Sequence, residues 1–281
     1  MGHSVGINPD VSQNECEVIS NKKVGAYHHI TLAAPAIAEH AKPGNFVGIS
    51  IGDMRSSMLL RRSFAIYQTV PRGPFGGTLE IIVAAHGAGS TWITQRAPHE
   101  KLDVVGPLGN AFKIPKDPVR ALLVGGGYGS APLFGLAELL NSRGCRVDML
   151  LGASTGSKIY APMEGKRAVN SMRIYTEDGS MGVAGRVTDP IAEIIKDLNV
   201  AVIYSCGPMP MLAAITTIAD QFDVVHQCAV EESMACGVGI CMTCVLPVEN
   251  EDGSISNLRS CINGPVMDGS KVQWSKVGQQ L

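Results

Sequence analysis

The chain has 281 residues and a formal net charge of −2, so it lacks the basic excess that nucleic-acid binding requires. Its length exceeds what one hydrophobic core usually serves, and we therefore expect two domains and a small appendage. No apolar run approaches the roughly 18 residues of a membrane span, and the start shows no signal-peptide pattern. We therefore predict a cytoplasmic protein, in which eight cysteines favour metal or catalytic use over disulfides.

The N-terminal part of the chain has the pattern of an all-β domain. Residues 1–13 are predicted to be a disordered tail. From residue 14 to residue 116, short β-rich runs alternate with Gly and Pro turns, which is typical of a small antiparallel barrel. The predicted strands are 28–33, 45–51, 63–67 and 79–84, and the one predicted helix is 89–95.

After a linker at 115–118 the pattern changes to that of an α/β domain, predicted over residues 117–227. An apolar run at 119–124, suited to a strand buried on both faces, enters a run of glycines. Leucines at helical spacing follow, and a second buried run completes a βαβ unit. The remaining predicted elements are strands at 172–176, 201–205 and 224–226, and helices at 191–196 and 209–220. Together they predict a doubly wound parallel sheet.

Two stretches at the carboxyl edge of that sheet indicate a nucleotide site. Glycines between a strand and a helix let a pyrophosphate approach unshielded N–H groups and the positive end of the helix dipole. The glycines concerned are Gly126, Gly127 and Gly129. They do not spell G-x-G-x-x-G, and a tight turn without a ligand is the alternative. The second stretch, Cys206-Gly207-Pro208, ends another strand, and its cysteine is also compatible with plain packing.

Four cysteines form the most specific pattern in the chain, in a predicted cluster domain over residues 228–281. They are Cys236, Cys241, Cys244 and Cys261. The first three follow C-x4-C-x2-C, and a predicted hairpin that turns at Asp252-Gly253 returns the fourth to them. Four thiolates in this spacing are typical of a [2Fe–2S] cluster. Zinc is an alternative, although structural zinc sites usually have two C-x2-C pairs, and packed unligated thiols are another.

Several of these motifs occur in the order found in the ferredoxin–NADP reductase superfamily. They are Arg62-Ser63-Phe64-Ala65, Gly87-Ala88-Gly89-Ser90, Gly106-Pro107-Leu108-Gly109, the turn at 125–132 and Cys206-Gly207-Pro208. The ending is more specific. Residues 231–241 (EESMACGVGIC) and 260–266 (SCINGPV) closely resemble the electron-transfer subunit of dihydroorotate dehydrogenase type B. The resemblance covers nearly the whole chain beyond the tail.

The resemblance implies FAD in a groove between the barrel and the sheet. Residues 62–65 would face the isoalloxazine and its chain, 82–84 would lie along the flavin, and Gly89 with Ser90 would hold the pyrophosphate. The implied FAD residues are Arg62, Ser63, Phe64, Ala65, Ile82, Val83, Ala84, Gly89 and Ser90. Arg62 suits the role because a guanidinium binds phosphate in a bidentate way. Ala65 is a departure, since many superfamily members have a hydroxyl residue there, near the reactive flavin nitrogen.

For NAD, the resemblance implies a site at the glycine turn and at the end of the second strand. The implied NAD residues are Gly126, Gly127, Gly129, Cys206, Gly207 and Pro208. The Cys206 thiol would lie beside the nicotinamide and shape the pocket for hydride transfer. The sequence does not decide between NAD and NADP, because residues 152–158 offer neither a clear ribose-binding acid nor an arginine for a 2′-phosphate.

The function implied by the resemblance is electron transfer in pyrimidine biosynthesis. In the family, dihydroorotate is oxidised at an FMN in a separate catalytic subunit, electrons cross the [2Fe–2S] cluster to FAD, and hydride reduces NAD⁺. The chain would then be an oxidoreductase subunit in a heterotetramer with two copies of each subunit. Two alternatives stay open: an NAD(P)H-dependent reductase that serves a ferredoxin or a sulfide-type substrate, and a zinc-stabilised nucleotide-binding regulatory module.

Overall fold

Six antiparallel strands in the N-terminal part of the chain close into a barrel. The computed structural model describes residues 10–52 and 56–278. The barrel strands are Ser12–Val24 (β1), Tyr27–Ala33 (β2), Phe46–Ile49 (β3), Arg62–Val70 (β4), Thr78–Val83 (β5) and Lys101–Leu108 (β6). They follow the order β1-β2-β5-β4-β3-β6 around the barrel. Two short helices, Pro35–His40 (α1) and Ala88–Thr94 (α2), belong to the same part of the chain.

The two faces of β4 lead to different parts of the molecule, because successive side chains on a strand point to opposite sides. Ile66 is buried in the barrel core, and Phe64 packs against the same core. On the outer face, Tyr67 packs with the aromatic and aliphatic core of the second domain, while Ser63 and Ala65 are exposed. The outer face of β4 is therefore the face of this strand that packs against the second domain.

The rest of the chain forms a seven-stranded sheet, its flanking helices and a two-stranded hairpin. The strands are Arg120–Gly126 (β7), Arg146–Ala153 (β8), Ser171–Thr176 (β9), Val183–Ala184 (β10), Val202–Cys206 (β11), Val225–Ala229 (β12), Val245–Glu249 (β13), Ile255–Arg259 (β14) and Val266–Asp268 (β15). The helices are Ala131–Ser142 (α3), Pro162–Ala168 (α4), Ile191–Leu198 (α5), Met209–Gln221 (α6) and Ser260–Asn263 (α7). No helix in these described ranges is long and apolar enough to cross a membrane.

The sheet has the order β10-β9-β8-β7-β11-β12-β15. Six of these strands are parallel, as predicted, and β15 pairs antiparallel with β12 at one edge. Apolar side chains cover both faces: Leu123 packs with α3, and Leu122 packs with α5 and α6. The carboxyl ends of β7 and β11 therefore meet at one edge of a sheet that is covered on both sides, which is where open α/β sheets bind ligands.

Two of the predicted segment boundaries differ from the structure. Strand β12 runs across the boundary predicted between residues 227 and 228, and β15 returns to the same sheet, so the end of the chain is tied to the α/β domain. Strand β1 begins inside the predicted tail of residues 1–13, because its residues pair with β6. Residues 1–9 of that tail lie outside the described residues.

Aromatic side chains fix the barrel against the α/β domain. Tyr67 on β4 lies 5.6 Å from Tyr160 between ring centroids, and 5.6 Å from Phe134 on α3. The Tyr160 hydroxyl is 2.9 Å from His29 Nδ1 on β2, and the Tyr67 hydroxyl donates to the Glu164 carboxylate at 2.7 Å. Because aromatic pairs and satisfied buried polar groups favour one geometry, the groove between the two domains has a defined shape.

Candidate functional site

A cleft of about 620 Å³ opens at the carboxyl ends of β7 and β11. The residues that line it include Gly126, Gly127, Gly129 and Pro208. A Cβ on Gly129 would lie 2.7 Å from the Cα of Gly207, so glycine is required there for the two segments to pack backbone to backbone. The structure therefore brings together the two stretches that the sequence predicted as the NAD site, although Cys206 and Gly207 lie behind the lining.

Cys206 is half-buried at the end of β11. Burial first, and then the nearby Glu231 carboxylate, raise the pKa of its thiol to about 12, so the thiol stays protonated at neutral pH. The Tyr128 hydroxyl donates to Glu231 Oε1 at 2.5 Å, and both residues line the cleft. Neither Tyr128 nor Glu231 was predicted from the sequence to belong to the site. Tyr128 and Glu231 thus line the cleft, and the neutral Cys206 thiol lies close enough to the Glu231 carboxylate to feel its charge.

Arg62, at the start of β4, lies against the beginning of α2. A Cβ on Gly89 would be only 2.8 Å from Arg62 Nε, so glycine makes room for the guanidinium. Arg62 Nη1 donates to the Leu60 carbonyl at 2.8 Å, and no carboxylate pairs with Arg62 among the described residues. Arg61 differs, because its Nη2 donates to Asp103 at 2.6 Å. Of the two neighbouring arginines, Arg62 is the one whose charge is available to a bound anion.

Ser90 shapes the loop before α2 by hydrogen bonds to its own segment. Its hydroxyl oxygen accepts from the backbone N–H of His86 at 2.9 Å and of Gly87 at 3.1 Å, as in a helix capping box. A Cβ on Gly87 would meet no atom within 4 Å. The space beside Gly87 is therefore open, two residues before the glycine that the Arg62 guanidinium approaches.

The other residues implied for FAD occupy three different environments. Ala84 lines the cleft, and Ala65 is exposed on the outer face of β4. Ile82 and Val83 are buried, and Phe64 packs toward the barrel core. The Ser63 hydroxyl lies 3.8 Å from where a Cβ on Gly237 would be, so Ser63 lies beside the cysteine loop, residues 230–244. On the outer face of β4, Ala65 thus lies between Ser63, beside the cysteine loop, and Tyr67, which packs on the α/β domain.

The four cysteines lie as two pairs. Cys236 Sγ accepts hydrogen bonds from the backbone N–H of Ile240 at 3.3 Å and of Cys241 at 3.5 Å. Hydrogen bonds from Thr243, and then from Cys236, lower the pKa of the Cys241 thiol to about 6. Burial and a hydrogen bond with Cys244 raise the pKa of Cys261 to about 12. Cys236 with Cys241, and Cys244 with Cys261, are therefore neighbours.

This donor set fits a [2Fe–2S] cluster, in which four thiolates hold two irons. Within the described residues, no group of three or more His, Cys, Asp or Glu side chains is placed to hold a single metal ion. Cys244 and Cys261 pack with Phe46 of β3 and Leu108 of β6. Cys241 is exposed. The cysteine site therefore adjoins the barrel on one side and reaches the surface on the other.

Comparisons with known proteins also indicate an iron–sulfur protein. The family model described as the iron-sulfur cluster binding domain of dihydroorotate dehydrogenase B matches residues 231–273. The dihydroorotate dehydrogenase B (NAD(+)) electron transfer subunit of Geobacillus thermodenitrificans is 35% identical, over 93% of this chain and 99% of the relative. The chain belongs to the family of dihydroorotate dehydrogenase B electron transfer subunits. The subunit of that name from Desulforamulus reducens is 32% identical, over 88% of this chain and 92% of the relative.

Solved structures place this family member among flavin-dependent reductases in fold. The structure of the NADH-dependent reduced ferredoxin-NADP oxidoreductase aligns with a TM-score of 0.82 and 26% identity, over 93% of this chain and 91% of the other. The ferredoxin reductase of carbazole 1,9a-dioxygenase aligns with a TM-score of 0.63 and 20% identity, over 76% and 67%, and shows the fold alone. The predicted family and the predicted fold class, a barrel followed by an α/β domain and a small cysteine-rich end, are confirmed.

Proposed function

We propose that this chain is the electron transfer subunit of a dihydroorotate dehydrogenase and passes electrons from a catalytic subunit through a [2Fe–2S] cluster and FAD to NAD⁺. The observation that carries the proposal is the position of β4. Its Ser63 lies beside the cysteine loop, its Tyr67 packs on the α/β domain that contains the cleft, and Ala65 is exposed between them. A flavin on this strand would lie between the cluster and the nicotinamide.

The cluster ligands in this proposal are Cys236, Cys241, Cys244 and Cys261. Three features of the loop support them. Backbone N–H groups already point at Cys236 Sγ, and hydrogen bonds to a cluster sulfur favour the more negative, reduced state. The lowered pKa of Cys241 favours the thiolate that iron requires. Cys244 and Cys261 are buried against Phe46 and Leu108, which keeps water from that side of the cluster.

The proposed FAD site uses Arg62 and the loop before α2 to hold the pyrophosphate. When bound, FAD exchanges hydride with a nicotinamide and single electrons with an iron–sulfur cluster. Arg62 donates charge-assisted hydrogen bonds, and Gly89 lets its guanidinium lie over the start of the helix. Ala65 offers no hydrogen bond, so in this chain the strand contacts the flavin without a side-chain donor at that position.

The proposed NAD site is the cleft that the glycine turn and Pro208 line. The backbone N–H groups of the turn and the start of α3 receive the pyrophosphate. Cys206 stays neutral and supports the floor of the pocket through Gly207, which fixes where the nicotinamide can lie. Ala84, the residue after β5, lines the same cleft, so a flavin beside it would face the nicotinamide.

The partner in this proposal is an FMN-containing catalytic subunit, in a complex with two copies of each subunit. Support comes from the cysteine loop, where Ile240 is 80% exposed and Met242 is 51% exposed, beside the exposed Cys241. Large apolar side chains rarely stand exposed together on a free surface unless another protein covers them. The cytoplasmic location stays a prediction from the sequence.

Reconstitution of the chain with the catalytic subunit tests the proposal. We expect dihydroorotate-dependent reduction of NAD⁺ only when both subunits are present, and NADH-to-dye activity from this chain alone. Reduction of a ferredoxin by NADH, with no association with the catalytic subunit, would instead favour the alternative reductase. A colourless preparation that contains zinc would favour the regulatory module.

A further inference from the structure

Arg259, the last residue of β14, reaches from the hairpin into the cysteine loop. Its Nη1 donates to the carbonyl oxygen of Gly239, and its backbone N–H donates to Asn263 Oδ1 at 3.1 Å. The side chain is half-buried. No carboxylate pairs with it among residues 10–52 and 56–278, so the charge of this guanidinium is not cancelled by an ion pair there.

The peptide group that Arg259 holds is the one that points at a cluster ligand. The Gly239 carbonyl and the Ile240 N–H belong to one trans peptide, and in a trans peptide these two groups point in opposite directions. The Ile240 N–H is directed at Cys236 Sγ, 3.3 Å away. By binding the carbonyl end, Arg259 therefore fixes the direction of the N–H end. The loop also lies too close to α7 for a side chain here, since a Cβ on Gly239 would be 2.9 Å from Ile262 Cγ2.

We propose that Arg259 raises the reduction potential of the [2Fe–2S] cluster, by its own positive charge and by aligning the Gly239–Ile240 peptide toward Cys236. This inference rests on the proposed function, because it takes the cluster as bound. Reduction adds one electron to a group that four thiolates and two sulfides already make anionic, so a nearby cation and an N–H donor stabilise the reduced state more than the oxidised state.

Three substitutions separate the two parts of this effect. Arg259→Met removes the charge and the hydrogen bond, Arg259→Gln keeps a donor without the charge, and Arg259→Lys keeps the charge on a differently shaped donor. Lys271→Met is the matched control, because it removes one positive charge from an exposed position in the same part of the chain. In the Met variant we expect about a tenfold shift of the one-electron equilibrium toward the oxidised cluster, which corresponds to 59 mV.

The measurement is the midpoint potential of the cluster, from an EPR-monitored redox titration, with iron content and the flavin potential recorded on the same samples. We expect the order wild type above Lys and Gln, and these above Met, with the control and the flavin unchanged. A wild-type cluster potential in the Met variant at full iron content overturns the proposal. Should the Met variant fail to bind iron, wild-type potentials in both the Lys and Gln variants overturn it. Absence of iron from the wild-type chain would instead refute the proposed function.

Discussion

The glycine turn and the cysteine loop each adjoin a proposed cofactor site, but they obtain their shape in different ways. The turn lies between β7 and α3, and the buried Ser130 closes it with a hydrogen bond to the Gly127 carbonyl at 2.9 Å. The cysteine loop has no strand or helix between β12 and β13, and the side chain of Ile240 is largely exposed. Packing therefore shapes the nucleotide cleft before any ligand binds, whereas the cysteine loop depends on its thiols and, as proposed, on the metal that they hold.

This contrast predicts that the two regions fail independently. Loss of a thiol should disorder the loop and leave the nucleotide sites intact. Changes in the barrel or at the glycine turn should weaken nucleotide binding or hydride transfer and leave the cluster in place. The predictions below test this independence, from the largest expected effect to the smallest.

The largest effect is expected for Cys241→Ser. A serine alcohol is a poor substitute for a thiolate on iron, so the cluster should be lost or become unstable, and electron flow from the partner should stop. FAD should remain bound, and direct NADH-to-dye activity should persist. Iron content and reduced-state EPR measure the first outcome, and flavin absorbance measures the second. A fully occupied cluster in this variant would refute the ligand assignment.

Cys206→Ala should slow the reduction of FAD by NADH on the order of a hundredfold, because small displacements in a site for hydride transfer have large kinetic effects. FAD content and the cluster spectrum should not change. The matched control is Cys145→Ala, which removes a buried thiol elsewhere in the same domain and should lower only the melting temperature. Stopped-flow measurements at saturating NADH decide the question. A wild-type rate in fully loaded Cys206→Ala protein would make Cys206 a packing residue.

The pH dependence of the same rate gives a related test in the wild-type protein. Burial and Glu231 raise the pKa of the Cys206 thiol to about 12, so the protonated form persists through the ordinary thiol range. We expect the pH profile of the hydride-transfer rate between pH 8 and about 10 to show no inflection in the wild type that is missing from Cys206→Ala. An inflection near 9 that disappears in the variant would show that the thiol titrates in the site.

Arg62→Ala should lower the affinity for FAD by about 1.5–3 kcal/mol, the contribution of a charge-assisted hydrogen bond, which is roughly a ten- to hundredfold loss. Arg61→Ala is the control, because Arg61 is already paired with Asp103. FAD retention on dilution, measured by fluorescence of the released flavin, distinguishes the two arginines. Equal retention in the Arg62 variant and the wild type would contradict the phosphate role.

The smallest effect is expected for Ser90→Ala. The change removes the acceptor for two backbone N–H groups at the start of α2, and the loss of a helix cap costs about 1 kcal/mol. FAD affinity should fall severalfold if the loop holds the pyrophosphate. Thr94→Ala, which removes a hydroxyl from the other end of the same helix, should leave FAD affinity unchanged. Equal affinities in the two variants would argue that Ser90 only caps the helix.

Much of the fold could be predicted because its strands carry long apolar runs or clear alternation. Strand β1 was missed, since its exposed face is rich in polar and charged residues and only Cys16 and Val18 are fully buried. Strand β15 was missed because three residues are too few for a periodic signal. The segment from Lys101 to Leu108 was not assigned to a strand either, and the structure makes it the partner that closes the barrel.

The candidate site could be predicted where one local motif contains its residues. The cysteine spacing and the glycine turn are of this kind. Tyr128 and Glu231 are 103 positions apart, and Arg259 is 20 positions from Gly239, so their contacts are created by the fold alone. The difference between Arg61 and Arg62 also needed the structure, because Asp103 of β6 pairs with Arg61 while the start of α2 lies beside Arg62.

One measurement tests the central claim most directly: an anaerobic titration of the purified chain with NADH, followed by flavin absorbance and by EPR of the cluster. The account predicts that NADH bleaches the flavin and produces a reduced-cluster signal in the wild type, and that Cys241→Ser shows the bleaching without the signal. The contradicting result is a bleached flavin beside a wild-type cluster that is fully loaded with iron, stays oxidised at every NADH concentration and is not reduced by dithionite either.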